Sequence, residues 1–267
     1  MKQTIIKQEV IGLIPAAGYS RRLNPIPCSK EIYPVGFSNI ANQIRPKAVC
    51  LYLIDSMREA GIRKILVVIR KGKWDIPAYL GDGHQFGVEI VYRVMDESPG
   101  PPFALDHAYS FVRNATIAFG FPDIIVHAPQ AFSKLLAELQ DSDVDVVLGI
   151  FPIKRAIKDD RVLLGRRGQV REFVVSTRGS NHPHTWSIAV WGPRFTDYMH
   201  EFIERTKGHA GLRIAEELTV GHVIEPAFNS GIRMRGVMFP KGTSLDIGTP
   251  DSMKEAVLRY TSEVHTE

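Results

Sequence analysis

The chain has 267 residues, 44% of them apolar and 23% charged, with 33 Lys and Arg against 29 Asp and Glu for a formal net charge of +4. At this length about three quarters of the unfolded surface can be buried, so a core forms without a disulfide or structural metal. Only two cysteines, Cys28 and Cys50, are present, no apolar run approaches a membrane span, and residues 1–9 hold no apolar leader core; a disulfide-stapled secreted mini-protein, a membrane span, a collagen-like repeat and a disordered tail are thereby excluded. The expectation is an enzyme or binding domain of a reducing, cytoplasmic compartment.

Val10–Pro15 is an apolar run that predicts a strand, ending in a small-residue loop, Ala16–Ser20. Val49, Leu53, Met57 and Ala60 recur at helical spacing, and Gly61 stops that helix in the position where a left-handed residue is favoured. Ile65–Ile69 predicts a buried strand, Val88–Val94 an alternating strand, Phe103–Val112 a helix and Thr116–Phe119 a strand. Phe132–Leu139 reads as a helix and Val144–Ile150 as a further strand. Beyond Phe151 the pattern shortens to small strands with Arg and Gly turns, a Trp186–Trp191 run, and helices near Thr196–Arg205 and Ile214–Leu218. A strand near Ser244–Ile247 and a helix over Pro250–Tyr260 close the chain. This βαβ rhythm predicts an α/β fold with a mostly parallel central sheet and helices on both faces. No linker or repeat interrupts it, so residues 1–150 are expected to form the core and 151–267 a smaller part sharing its sheet.

Charge is unevenly placed. Lys154–Arg171 carries seven basic residues against Asp159 and Asp160. Without interleaved aromatics or a known module, it reads as a solvated hairpin or a subunit edge of a homo-oligomer, ahead of an anion-attracting rim, and not as a nucleic-acid surface.

The most informative segment is Leu13–Val35. A strand ends in Pro15, Ala16, Ala17, Gly18, Tyr19 and Ser20, small enough for backbone N–H groups to approach an anion, and Arg21, Arg22 and Lys30 follow. Such a loop after the first strand lies at the carboxyl edge, where α/β sheets bind ligands. The implied chemistry is a polyphosphate held by amides and neutralised by Arg and Lys; an ordinary glycine turn with a basic surface loop stays open on these residues alone. Asp123 and Asp246 could meet at a sheet edge and hold Mg²⁺ with substrate phosphates, although each alone reads first as a helix cap. Gly81, Gly83 and Gly87 mimic a dinucleotide fingerprint but precede a strand instead of following one. His182 and His184 read as a solvated loop, and Cys28 as a bystander thiol.

The Leu13–Val35 segment resembles the signature of the sugar-phosphate nucleotidylyltransferases, with Gly18, Arg22, Leu23, Pro25 and Lys30 on its key positions. The Ala60–Ile69 and Tyr79–Tyr92 stretches, and Asp246-Ile-Gly248-Thr249-Pro250, resemble later elements of that family in the same order, nearest to its glucose-1-phosphate thymidylyltransferase-like branch. The resemblance covers roughly residues 10–150 and 210–260 and implies a Rossmann-like nucleotidyltransferase fold. It implies Mg²⁺-dependent transfer of a nucleotide from a nucleoside triphosphate, thymidine or uridine triphosphate first, to a sugar 1-phosphate with release of pyrophosphate. Arg22, Lys30, Asp123 and Asp246 would be catalytic, the two aspartates as metal ligands, although the residue before Asp123 is Pro122 where the family usually has Gly. Pro15–Ser20, Met95 and Gly100 would bind the nucleotide.

The resemblance thins on the specificity side. Met95 stands where the family reads the base with Gln, and Val175-Ser176-Thr177 where it carries Glu-Lys-Pro. Arg178 is expected to supply a replacement cation, and Arg213 matches an arginine of the thymidylyltransferase branch. These departures predict relaxed base preference and an acceptor other than plain glucose 1-phosphate. A phosphorylated alcohol or amino-alcohol acceptor, or a catalytically idle regulatory subunit, stays open.

Overall fold

The computed structural model describes residues 8–266 apart from residues 41, 142, 154–158, 177–179, 209–216 and 262–263. In chain order the elements begin β1 (Val10–Ala16), β2 (Pro34–Ile40), β3 (Gln43–Ala48), α1 (Val49–Glu59), β4 (Lys64–Arg70), α2 (Asp75–Leu80) and β5 (Glu89–Met95). They continue with α3 (Pro101–His107), α4 (Tyr109–Val112), β6 (Thr116–Gly120), β7 (Ile124–His127), α5 (Ala131–Asp141), β8 (Val146–Pro152), β9 (Arg161–Leu164) and β10 (Val170–Val174). The last are β11 (His184–Trp191), α6 (Pro193–Gly208), α7 (Gly221–Asn229), β12 (Met234–Met238), β13 (Thr243–Asp246), α8 (Pro250–Tyr260) and β14 (Val264–Thr266).

Seven strands form the central sheet in the order β12-β8-β11-β6-β1-β4-β5. All pairings are parallel except those of β11, which runs antiparallel to both β8 and β6. The strands read as unbroken apolar runs because both sheet faces are covered. Leu13, Leu66, Val68, Ile117, Phe119 and Leu148 point into one core, with α3, α4, α6 and α7. Their neighbours Ile14, Ile65, Val67, Ala118 and Val147 point into the other, with α1, α2 and α5. The period-2 alternation of a strand thus divides one sequence run between two cores.

Several predicted elements shift. The helix expected over Phe103–Val112 starts at Pro101 and is broken at Ala108 into α3 and α4. The helix expected at Ile214–Leu218 falls partly outside the described residues; the observed helix is α7, whose internal Pro226 masks its helical pattern. The β2–β3 hairpin has no sequence signal, because Gln43–Pro46 are all exposed and carry no apolar alternation.

Phe119 is fully buried in a cluster of aromatic rings, with its ring centroid 4.8 Å from Phe121, 5.4 Å from Trp191 and 6.0 Å from Trp186. Phe119→Ala should cost about 3–5 kcal/mol, whereas Leu258→Ala, at an exposed site on α8, should stay within about 0.5 kcal/mol. Urea unfolding of the two variants checks the contrast.

Candidate active site

The site begins with a strand register. β13 runs antiparallel to β7 with Asp246 opposite Ile124, and the Ile247 N–H donates to the Asp123 carbonyl at 3.0 Å. Two aspartates far apart in sequence are thereby brought side by side beyond the carboxyl end of β6. Lys30, on a single 3₁₀ turn over Lys30–Ile32, reaches Asp123 Oδ2 at 2.5 Å.

The two carboxylates respond oppositely. Burial works against ionising Asp123, but the charge and hydrogen bond of Lys30 outweigh it and hold its carboxyl below the usual range. Burial pushes Asp246 up to about 6, the neighbouring Asp123 charge adds to that, and Lys30, the Gly248 N–H and Arg22 pull the other way. Gly248 donates to Asp246 Oδ1 at 2.6 Å. A Cβ on Gly248 would come 2.7 Å from an Arg22 guanidinium nitrogen and 2.8 Å from Asp246 Oδ1, so only glycine lets that guanidinium pack against this corner.

The loop after β1 forms the other rim of a cleft of about 760 Å³, which Pro15, Ala17, Gly18, Tyr19, Ser20 and Arg22 line together with Lys30, Asp123 and Asp246. The Tyr19 ring is approached by the guanidinium groups of Arg21 and Arg70, 5.0 and 4.4 Å from its centre. Across the cleft Asp160 accepts from the Ser176 N–H at 2.9 Å and from the Trp186 indole N–H at 3.1 Å. Burial raises Asp160, which packs so closely on the start of α7 that a Cβ on Gly221 would come 2.2 Å from its Oδ2. Asp159, Thr185 and Glu217 line the cleft as well.

Residues 11–263 match the Nucleotidyl transferase family. The chain belongs to that family. It is similar to a glucose-1-phosphate thymidylyltransferase of Mycolicibacterium smegmatis, 33% identical over 123 residues, 44% of this chain and 39% of that protein. The match therefore spans about two fifths of that relative. A glucose-1-phosphate thymidylyltransferase of Neisseria meningitidis is 26% identical over 250 residues, 92% of this chain and 80% of that one. A solved Bacillus anthracis structure, assigned as a glucose-1-phosphate thymidylyltransferase and holding a sucrose, superposes with a TM-score of 0.78 at 19% identity, covering 97% of this chain and 98% of that chain. The α/β fold with its largely parallel seven-stranded sheet is that of nucleotidyltransferases.

Other expected site residues stand outside the cleft lining or outside the described residues. Ala16 is buried in the core beneath the loop. Met95, at the end of the edge strand β5, packs against the core and is absent from the described cleft lining, because a thioether is held by apolar neighbours. Gly100 does not line the cleft either; it adopts φ +152° against the backbone of Leu218, where a Cβ would come 2.2 Å from the carbonyl oxygen, and Ser98, Pro99 and Pro101 around it do the lining. Val175 is a core residue, and it is Ser176 that faces the cleft. Arg178 and Arg213 lie outside the described residues.

Asp160 and Trp186 were missed as site residues. The signal was available in the adjacent acids Asp159-Asp160, but the surrounding basic residues hid it. Cys28 has no nucleophile's environment, since burial, Asp75 and Glu31 all push its thiol up. His182 bonds the Glu172 carboxylate at 2.9 Å. Among the described residues, Asp106, His200 and Glu204 form the one group of three or more such side chains at metal-ligand spacing, and Lys207 bonds both of their carboxylates.

The Asp246 shift has a thermodynamic consequence. Its folded value near 6 exceeds the ordinary 3.8, so between those values the folded chain retains a proton that the unfolded chain has released, and stability falls as pH rises through about 6. Asp246→Asn should therefore raise the Tm of the cation-free protein by roughly 2–4 °C near pH 8 and by less near pH 5. Equal shifts at the two pH values, read by thermal denaturation, would remove the electrostatic explanation.

Proposed function

We propose that the chain is a sugar-phosphate nucleotidylyltransferase that joins a nucleoside triphosphate to a sugar 1-phosphate and releases pyrophosphate. The observation that carries this reading is the meeting of Arg22, Lys30, Asp123 and Asp246 beside the small-residue loop in one cleft. A phosphate oxygen of the acceptor attacks the α-phosphorus; the bond to the β-phosphate bridging oxygen breaks, and pyrophosphate leaves with that electron pair. The attacking oxygen is already anionic, so no general base is required.

The loop Pro15–Ser20 offers backbone approach to the triphosphate, and Arg22 and Lys30 neutralise charge on the α- and β-phosphates and on the departing pyrophosphate. Asp123 and Asp246 suit Mg²⁺: they are hard oxygen donors, and their mutual repulsion, expressed in the raised Asp246, is what a divalent cation relieves. Bound there, Mg²⁺ would supply charge neutralisation to the substrate phosphates.

Thymidine or uridine triphosphate is the first choice of nucleotide, in line with the thymidylyltransferase relatives. Among the described lining residues there is no Asn or Gln to read a base edge, which supports relaxed base preference. On the acceptor side Asp159 and Asp160 favour a donor-rich acceptor over plain glucose 1-phosphate, and they keep a phosphorylated amino-alcohol as the second reading. Arg178 and Arg213 are the candidates for its phosphate.

The test is pyrophosphate release from four nucleoside triphosphates against a panel of sugar 1-phosphates and phosphorylated amino-alcohols. Arg22→Ala and Lys30→Ala should each lower kcat by about 10²–10³, and Asp123→Asn or Asp246→Asn by about 10² or more. Normal turnover in the Arg22 and Lys30 variants contradicts the assignment, and tight, exclusive use of thymidine triphosphate with glucose 1-phosphate contradicts the specificity reading.

A further inference from the structure

The turn that carries Lys30 is gripped from outside the cleft. The corner between β4 and α2 presents two charged side chains to it, Lys73 and Asp75, and neither lines the cleft. Asp75 Oδ2 accepts from the Ser29 N–H at 2.6 Å, and its Oδ1 from the Ser29 hydroxyl at 2.8 Å. On the far side of Lys30, Lys73 Nζ bonds Glu31 Oε1 at 2.6 Å and also approaches the Gly18 carbonyl oxygen at 3.4 Å. Both members of the pair are nearly inaccessible, Lys73 at 5% and Glu31 at 2% exposure.

Such a buried pair is poor value as a stabiliser, because desolvating two charges offsets most of their attraction. Its geometry is informative instead. Residues on both flanks of Lys30 and the Gly18 carbonyl are tied to two neighbouring residues, Lys73 in the β4–α2 connection and Asp75 at the start of α2. The second Glu31 oxygen, Oε2, is buried without a hydrogen-bond partner, so the carboxylate is oriented by Lys73.

We propose that Lys73 and Asp75 are positioning residues for nucleotidyl transfer: they fix the Lys30 ammonium and the Gly18 loop relative to each other without touching substrate. The inference rests on the proposed function for its kinetic meaning, and it reaches two residues that neither the cleft nor the motifs single out. A placement error of about 1 Å in a cationic group is enough to cost on the order of 10²-fold in rate.

The experiment compares wild type with Lys73→Met, Asp75→Ala, Asp75→Asn and the double variant Glu31→Gln/Lys73→Met, using pyrophosphate release, thermal denaturation and amide hydrogen exchange over residues 17–31. Lys73→Met leaves Glu31 buried and unpaired, so it should lower both Tm and kcat. The double variant removes both charges and should regain most of the Tm while kcat stays at least tenfold below wild type. Asp75→Ala should lower kcat about tenfold with exchange at residues 17–31 accelerated, and Asp75→Asn, which keeps one acceptor oxygen, should recover part of both. Recovery of kcat together with Tm in the double variant would show the pair to be structural only and overturn the proposal. If Lys73→Met fails to fold, the Asp75 series decides: normal kcat and unchanged exchange in Asp75→Ala overturn it. Absence of pyrophosphate release from wild type would instead overturn the functional reading, leaving the exchange data to judge the clamp by itself.

Discussion

Two carboxylates held side by side inside a protein repel each other, and the organisation of this cleft follows from keeping Asp123 and Asp246 together. The β7–β13 register enforces their proximity, so neither can relax away without losing strand pairing. Lys30 answers one charge by a direct ion pair, while Arg22 and the Gly248 N–H answer part of the other. What is left is an Asp246 pushed up to about 6 by burial and by the neighbouring Asp123 charge. The local backbone supports the same end: Thr249 caps α8 through reciprocal bonds with Ser252, which fixes the chain immediately after Gly248.

The fold supplies the rest of the geometry by ordinary means. Parallel strands deliver their following loops to one edge of the sheet, so the β1 loop and the β6 terminus arrive at the cleft together. The β4–α2 corner comes from the same edge and buttresses the Lys30 turn from behind. The wall carrying Asp160 and Trp186 comes from the chain beyond residue 151, with β11 inserted antiparallel between β8 and β6. On the proposed function, phosphate chemistry and acceptor recognition would draw on different parts of the chain joined through one central sheet.

Much of this was legible in the sequence, for identifiable reasons. Strands buried on both faces leave long apolar runs, so β1, β4, β6 and β8 announce themselves, whereas the loop of small residues followed by Arg22 and Lys30 points to a bound polyphosphate only with the family resemblance beside it. Asp123 and Asp246 could be named from the family resemblance, but their contact depends on an antiparallel register that no local pattern encodes. Met95, Gly100 and Val175 illustrate the opposite limit. Each is assigned to the cleft by its place in a motif, and in the structure each side chain or backbone also packs: Met95 and Val175 against the core, Gly100 against the Leu218 backbone. Their neighbours Ser98 and Ser176 face the cleft instead, because a shift of one or a few positions exchanges a core-facing side chain for a cleft-facing one. Asp160 and Lys73 escaped for different reasons: basic neighbours mask the Asp159-Asp160 pair, while Lys73 has its partners Gly18 and Glu31 distant in sequence and resembles a solvated charge.

Phosphorus NMR of a single reaction mixture tests the central claim most directly. The chain is incubated with Mg²⁺, thymidine triphosphate and the best acceptor phosphate of the panel. Nucleotidyl transfer predicts free pyrophosphate and a new diphosphate diester growing in equal amounts, both slowed by about 10²-fold or more in Asp246→Asn. Release of orthophosphate without a diester, or an unchanged spectrum with every nucleotide and acceptor of the panel, would contradict the account.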